Sequence, residues 1–184
     1  MLSPASSPRP PWKKWKPAYR RCFKGGPVKA LVAYLSPTGK TAKPAAALAR
    51  AIEAPLYEIK PQKPYSAADL DWTDARSRST LEMNDKNCRP PLADTDAPVE
   101  DAEIVFVGFP VWWYREPSVV DSFLAAYDFT GKTIVPFATS GGSGIGSEAP
   151  ARMREITGAE VTEGKRFSPG ESEENLKRWA ETLF

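Results

Sequence analysis

Hydrophobic positions from Val28 onward fall into short apolar runs separated by segments of helical spacing. Val28 to Leu35 reads Val-Lys-Ala-Leu-Val-Ala-Tyr-Leu and stops at Ser36-Pro37-Thr38-Gly39, which predicts a buried parallel strand ending in a polar turn. From Thr41 to Glu53, Ala45, Leu48, Ala49 and Ile52 share one helical face, with Pro44 tolerated in the first turn and Pro55 closing the segment. Leu56 to Ile59 predicts a second strand. Lys60 to Val99 is polar and proline-rich, which predicts irregular structure with helical pieces near Ser66 to Arg76 and Ser79 to Asn84. Ile104 to Phe109 is the clearest buried strand and precedes a helix from about Pro117 to Tyr127. Lys132 to Ala138 repeats the pattern, ahead of a helix near Ser147 to Ile156, a fifth strand near Glu160 to Arg166 and a last helix near Ser172 to Phe184. Strands alternating with helices predict an α/β fold whose parallel sheet is covered on both faces.

A chain of 184 residues, 41% apolar and 26% charged, is long enough for one compact domain with a core of its own. Its two cysteines, Cys22 and Cys88, give neither a metal-ligand spacing nor a disulfide framework, so a reduced, cytoplasmic setting is expected. The absence of histidine removes every histidine-dependent triad and the usual general base near pH 7. Any difficult chemistry must come from a bound group.

Charge divides the chain unevenly. Residues 1–26 hold seven basic side chains and no acid, which leaves 18 basic against 23 acidic residues from Pro27 onward. With five prolines and aromatics that follow no sustained period, 1–26 reads as an extended or disordered basic tail, and 27–184 as the folded domain. Such a tail suits weak contact with nucleic acid or an anionic membrane surface; the plainer reading is a solvated arm, and no specific nucleic acid is expected. Arg20-Arg21 is followed by Cys-Phe-Lys-Gly-Gly-Pro rather than an apolar stretch, which argues against an export signal. No apolar run approaches the ~18 residues of a membrane span.

Three predicted strands end in unusual loops, at the place where open parallel sheets bind ligands. Ser36-Pro37-Thr38-Gly39-Lys40-Thr41 offers three hydroxyls, a glycine and a lysine at a helix start, the makings of a phosphate cradle. Tyr34 and Ala126 stand where a nucleotide P-loop ending at Gly39 or Gly131 would need glycine, so a Walker loop is excluded. Pro110-Val111-Trp112-Trp113-Tyr114 places three adjacent aromatics where a planar ligand can stack, although large aromatics are more often core. Thr139 to Gly146 has four glycines that let backbone approach a ligand closely. Each alone is ordinary turn chemistry; together they predict a site for a flat, phosphorylated, aromatic ligand.

These three motifs, Thr38-Gly39-Lys40-Thr41, Pro110-Val111-Trp112-Trp113 and Thr139-Ser140-Gly141-Gly142-Ser143-Gly144, resemble the flavodoxin family over about Pro27 to Phe184. Ser77-Arg78-Ser79, Glu82-Met83-Asn84-Asp85 and Arg89-Pro90 also resemble the long second segment of one subgroup. The resemblance implies a three-layer α/β/α fold, a doubly wound sheet of five parallel strands in the order 2-1-3-4-5, and FMN at the switch point. It further implies that Ser36, Thr38, Gly39, Lys40 and Thr41 hold the phosphate. Pro110, Val111, Trp112, Trp113 and Tyr114 would run along the isoalloxazine, with Trp112 or Trp113 stacked on it. Thr139, Ser140, Gly141, Gly142, Ser143 and Gly144 would close the other edge. Lys40 stands where the family usually has asparagine, with Pro37 stiffening the turn beside it, and Tyr114 stands where the subgroup often has glycine.

The implied function is electron transfer through bound flavin, fed by a redox partner protein or NAD(P)H. An NAD(P)H-dependent quinone or nitro reductase is the second reading, because the body is only weakly acidic for a carrier steered to basic partners. A third is a binding module without tight FMN whose basic tail makes the contact.

Overall fold

A computed structural model of the protein describes residues 21–23 and 26–183. Two short strands, β1 (Arg21–Phe23) and β2 (Gly26–Val28), pair antiparallel. The expectations for the remainder of the 1–26 tail lie outside the described residues.

The central sheet follows the order β4-β3-β5-β6-β7, built from β3 (Ala30–Tyr34), β4 (Leu56–Glu58), β5 (Ile104–Pro110), β6 (Thr133–Thr139) and β7 (Glu160–Val161). Every pair is parallel, and β8 (Lys165–Phe167) continues the last position by pairing with the far end of β6. Counted from β3, this is the 2-1-3-4-5 sheet. Alternate strand residues feed two cores. Leu31, Ala33, Val105, Val107 and Phe109 pack beneath α3 (Ser118–Ala126) and α4 (Ala149–Thr157), while Val32, Ile104, Phe106, Val135 and Phe137 pack beneath α1 (Ala42–Ala51) and α5 (Glu173–Glu181). Burial on both faces is why these strands read as unbroken apolar runs rather than alternating ones.

Three expectations need correction. The first strand does not run unbroken from Val28: Val28 belongs to the small hairpin, and Ala30 begins the sheet. The expected fifth strand is two pieces, interrupted opposite Pro136, which has no N–H to give a neighbouring strand. At the break Gly164 has φ 71°, and a Cβ there would lie 2.4 Å from the Pro136 carbonyl oxygen. Between 66 and 76 only one 3-10 turn forms, Ala68–Leu70, held by reciprocal Ser66–Asp69 bonds. Asp71 and Asp74 then accept the backbone N–H groups of Thr73 and Arg76, which competes with helix propagation. The second helical piece is α2 (Arg78–Asn84), where the Ser77 hydroxyl oxygen accepts the Thr80 N–H.

Candidate functional site

Because β3, β5 and β6 are neighbours, their carboxyl-end loops meet at one edge of the sheet, and chain order reverses between β3 and β5. In the first loop Gly39 donates its N–H to the Ser36 carbonyl at 3.1 Å with φ 75°, a conformation glycine adopts at no steric cost. The Ser36 hydroxyl oxygen accepts the Ala42 N–H at 3.0 Å, folding the loop onto the start of α1. Thr41 makes no side-chain cap, the first turn of α1 carries no acid, and Lys40 is exposed beside it. The positive end of this helix is therefore uncompensated by any negative charge in its first turn, which suits an anion.

The second loop is a tight hairpin. Trp112 and Arg115 exchange backbone hydrogen bonds of 2.9 and 3.0 Å around Trp113 and Tyr114, whose φ values are 44° and 67°. Primed two-residue turns normally take Asn-Gly; here two aromatic residues accept left-handed backbone, which costs on the order of 1–3 kcal/mol each. The turn leaves Trp113 39% and Tyr114 69% exposed at its tip. Trp112 is half-buried, with the Tyr65 ring edge-on at 5.4 Å. Tyr65 is held in turn: its hydroxyl donates to Glu82, the Arg78 guanidinium lies 4.3 Å over its ring, and Arg78 Nε pairs with Glu82 Oε1 at 2.6 Å.

The third loop lies against the second. A Cβ on Gly146, where φ is 97°, would stand 2.6 Å from the Tyr114 carbonyl oxygen, so glycine is what allows the close approach. Gly141, Gly142 and Gly144 are exposed with open space around them, and the Ser140 hydroxyl donates to the Ser143 carbonyl. A cavity of about 510 Å³ lies among these loops. Its walls are Pro37 and Thr38 from the first loop, residues 110–114 from the second and Ser143 from the third, completed by Leu70, Trp72 and Ser79 from the long connection.

The sequence profile of the family described as flavodoxin matches residues 29–183. The chain belongs to the flavodoxin family. Two Bacteroides proteins assigned as flavoproteins have closely similar structures. That from B. uniformis is 41% identical over 84% of this chain and 98% of its own, with a TM-score of 0.78. That from B. eggerthii is 38% identical over 85% and 98%, with a TM-score of 0.79. A flavoprotein from Lactobacillus acidophilus, solved in complex with FMN, shares the fold at 21% identity over 83% of this chain and 99% of its own, with a TM-score of 0.59. No curated protein matches the chain.

Within this flavodoxin-family fold, Thr38, Pro110, Val111, Trp112, Trp113, Tyr114 and Ser143 line the cavity. Ser36, Gly39 and Lys40 belong to the first loop, and Ser140, Gly141, Gly142 and Gly144 to the third, without lining it. Thr41 and Thr139 are buried, and their hydroxyl oxygens lie 2.8 Å apart, bracing the two loops from within.

The sequence reading missed Leu70, Trp72 and Ser79 as wall residues. The signal for Trp72 was a lone tryptophan in an acidic, alanine-rich stretch. It also missed a buried charge cluster at the foot of the hairpin. Arg115 and Arg152 both pair with Asp121 Oδ2, at 3.2 and 2.7 Å, and Arg115 also donates to Ser118 and to the Met83 carbonyl. The cluster thus ties the hairpin to α2, α3 and α4. Glu116 is fully buried, and its nearest cation, Arg152 Nε at 3.3 Å, is not aligned for a hydrogen bond. Both Glu116 oxygens and Asp121 Oδ1 lack hydrogen-bond partners while both acids are ionised. Burial first, then the hydrogen bond and charge of Asp121, push the Glu116 carboxyl up to about 9. Held protonated by that shift, it has a proton to donate to Asp121, which satisfies one Glu116 oxygen and leaves the other without a donor. The sequence signal was charge inside an apolar helical pattern, Arg115-Glu116 and Asp121 flanking Val119 and Val120.

Among the described residues, no cluster of His, Cys, Asp and Glu could hold a metal ion, and no helix is long and apolar enough to cross a membrane.

Proposed function

We propose that this protein binds FMN at the three strand-end loops and passes electrons through it, supplied by a redox partner protein or NAD(P)H. The observation that carries the reading is the uncompensated N-terminus of α1, with Thr38 and Lys40 beside it, next to a cavity walled by Trp112, Trp113 and Tyr114. The first feature suits a phosphate and the second a planar ring. The chemistry of the donor set fits FMN. Ser36 accepts from Ala42 and keeps its own hydroxyl proton to donate, Thr38 and Lys40 are exposed, and the open backbone at Gly141, Gly142 and Gly144 lets a ring edge come close.

In this reading Ser36, Thr38 and Lys40 bind the phosphate, with Gly39 shaping the turn and the Thr41–Thr139 pair holding the loops at a fixed separation. Trp112 or Trp113 stacks on the ring, and residues 140–144 shield its far edge from water. Bound FMN would supply the electron chemistry, with the protein setting its binding and its access. The test is the absorbance spectrum of protein mixed with excess FMN and desalted, then reduced stepwise without oxygen, with and without NADPH. Flavin bands retained near one per chain, and reversible reduction, are expected. A colourless protein would remove the reading.

A further inference from the structure

Trp112 is braced from outside the cavity. Its indole meets the Tyr65 ring at 87° with centroids 5.4 Å apart, the edge-to-face geometry that aromatic pairs prefer. Among the described residues, the other large aromatics on the cavity walls, Trp72, Trp113 and Tyr114, have no ring packed against them. An indole that is free to turn loses that freedom when a flat ligand stacks on it, whereas one already held does not.

Tyr65 is itself clamped by α2, whose Arg78 and Glu82 stand four residues apart on one helical face. The Arg78 guanidinium covers the Tyr65 ring and also donates to the Lys63 carbonyl at 2.7 Å, gripping the chain on both sides of Pro64. The Glu82 carboxylate accepts the Tyr65 hydroxyl on the other side. Burial, then the hydrogen bond and charge of Glu82, push the Tyr65 phenol up, which keeps its hydroxyl a donor. The Arg78–Glu82 pair is largely buried, so salt screens it little. The helix behind it is anchored too: Ser118 donates to the Glu82 carbonyl, and Arg115, at the foot of the hairpin, to the Met83 carbonyl. None of Tyr65, Arg78 and Glu82 lines the cavity, so what they control is the angle of the indole.

We propose that Tyr65, clamped by Arg78 and Glu82, is a positioning residue that fixes the plane of the Trp112 indole and so makes Trp112, rather than Trp113, the ring that stacks on the flavin. The proposal rests on the FMN reading and goes beyond it to residues that touch no ligand. Trp113, at the tip of the turn and 39% exposed, lacks that brace.

The experiment is a double-mutant cycle on the full chain, titrated with FMN and with riboflavin, which carries the ring system without the phosphate. Tyr65→Leu is expected to weaken binding of both flavins by the same factor, roughly fivefold, with Tyr65→Phe restoring most of the loss because it keeps a ring edge-on to the indole. The fluorescence of bound flavin, which a stacked indole quenches, is expected to rise in Tyr65→Leu. In a Trp112→Leu background Tyr65→Leu is expected to cause no further loss, because its effect passes through the indole. Arg78→Lys, which keeps the charge but not the flat guanidinium over the ring, is a milder second variant expected to lose affinity in the same direction. Unchanged riboflavin binding in Tyr65→Leu, or in Arg78→Lys should the first variant not fold, overturns the proposal and leaves the FMN reading in place. Full additivity of the Tyr65 and Trp112 losses overturns it equally. Wild-type protein that takes up neither flavin removes the FMN reading and the proposal with it.

Discussion

Thr41 Oγ1 and Thr139 Oγ1 lie 2.8 Å apart, both buried, joining loops separated by 98 residues of chain. Replacing either threonine by valine leaves the other hydroxyl buried and unpaired, at a cost of about 1–3 kcal/mol. Replacing both removes the unpaired group. Urea denaturation should therefore show each single variant destabilised and the double variant destabilised by less than the sum. FMN retention should weaken in parallel, since the bond sets the spacing of the first and third loops. Additive losses would mean that the two hydroxyls are not coupled.

Tyr114 occupies a left-handed position that glycine takes without strain, and its ring is mostly exposed. Tyr114→Gly should raise the thermal midpoint, by the equivalent of about 1 kcal/mol, because relief of strain exceeds the small loss of packing. Gly146→Ala should act in the opposite direction, since its Cβ would meet the Tyr114 carbonyl oxygen at 2.6 Å and one loop would have to move. A neutral result for Gly146→Ala would show that the third loop does not rest on the hairpin.

Glu116 binds its proton more tightly in the folded protein than in the unfolded chain, its carboxyl being pushed up to about 9. A group shifted in that direction contributes stability that is full below its unfolded pKa of about 4.3 and is lost as pH rises through the folded value. Stability should therefore fall between about pH 5 and 9 from this group. Glu116→Gln, which keeps a donor toward Asp121 and cannot ionise, should flatten that slope. Denaturant midpoints of both proteins at pH 5, 7 and 9 measure it, and parallel curves would exclude Glu116 as the source.

Lys40 stands exposed beside the uncompensated start of α1. Lys40→Glu should weaken FMN binding by roughly tenfold at low salt, an electrostatic effect that shrinks as salt is added. Riboflavin, which has the same ring system without the phosphate, should bind wild type and variant alike. Equal losses for both ligands would place Lys40 at the ring rather than at the phosphate.

Much of this architecture was legible in the sequence because its signals are local. Val105, Phe106, Val107 and Phe109 read as a buried strand since both faces of the sheet are covered. The ordered occurrence of Thr38-Gly39, Trp112-Trp113 and Ser140-Gly141-Gly142 after three such strands pointed to loops that would meet, because open parallel sheets gather their strand-end loops on one edge. The interruption of the last strand was less legible: Pro136 is visible in β6, but its missing N–H matters only because β7 and β8 lie beside it.

What the sequence by itself determined is the order of elements, the parallel sheet and the three loops, all of which follow from periodicity and turn chemistry within short stretches of chain. Tertiary structure alone decided that Trp72 shares a cavity with Tyr114, that Thr41 meets Thr139, and that Glu116 and Asp121 are buried against Arg115 and Arg152. Such contacts join residues with no spacing relation to one another. Burial and partner, and hence charge state and task, exist for them only once the chain has closed.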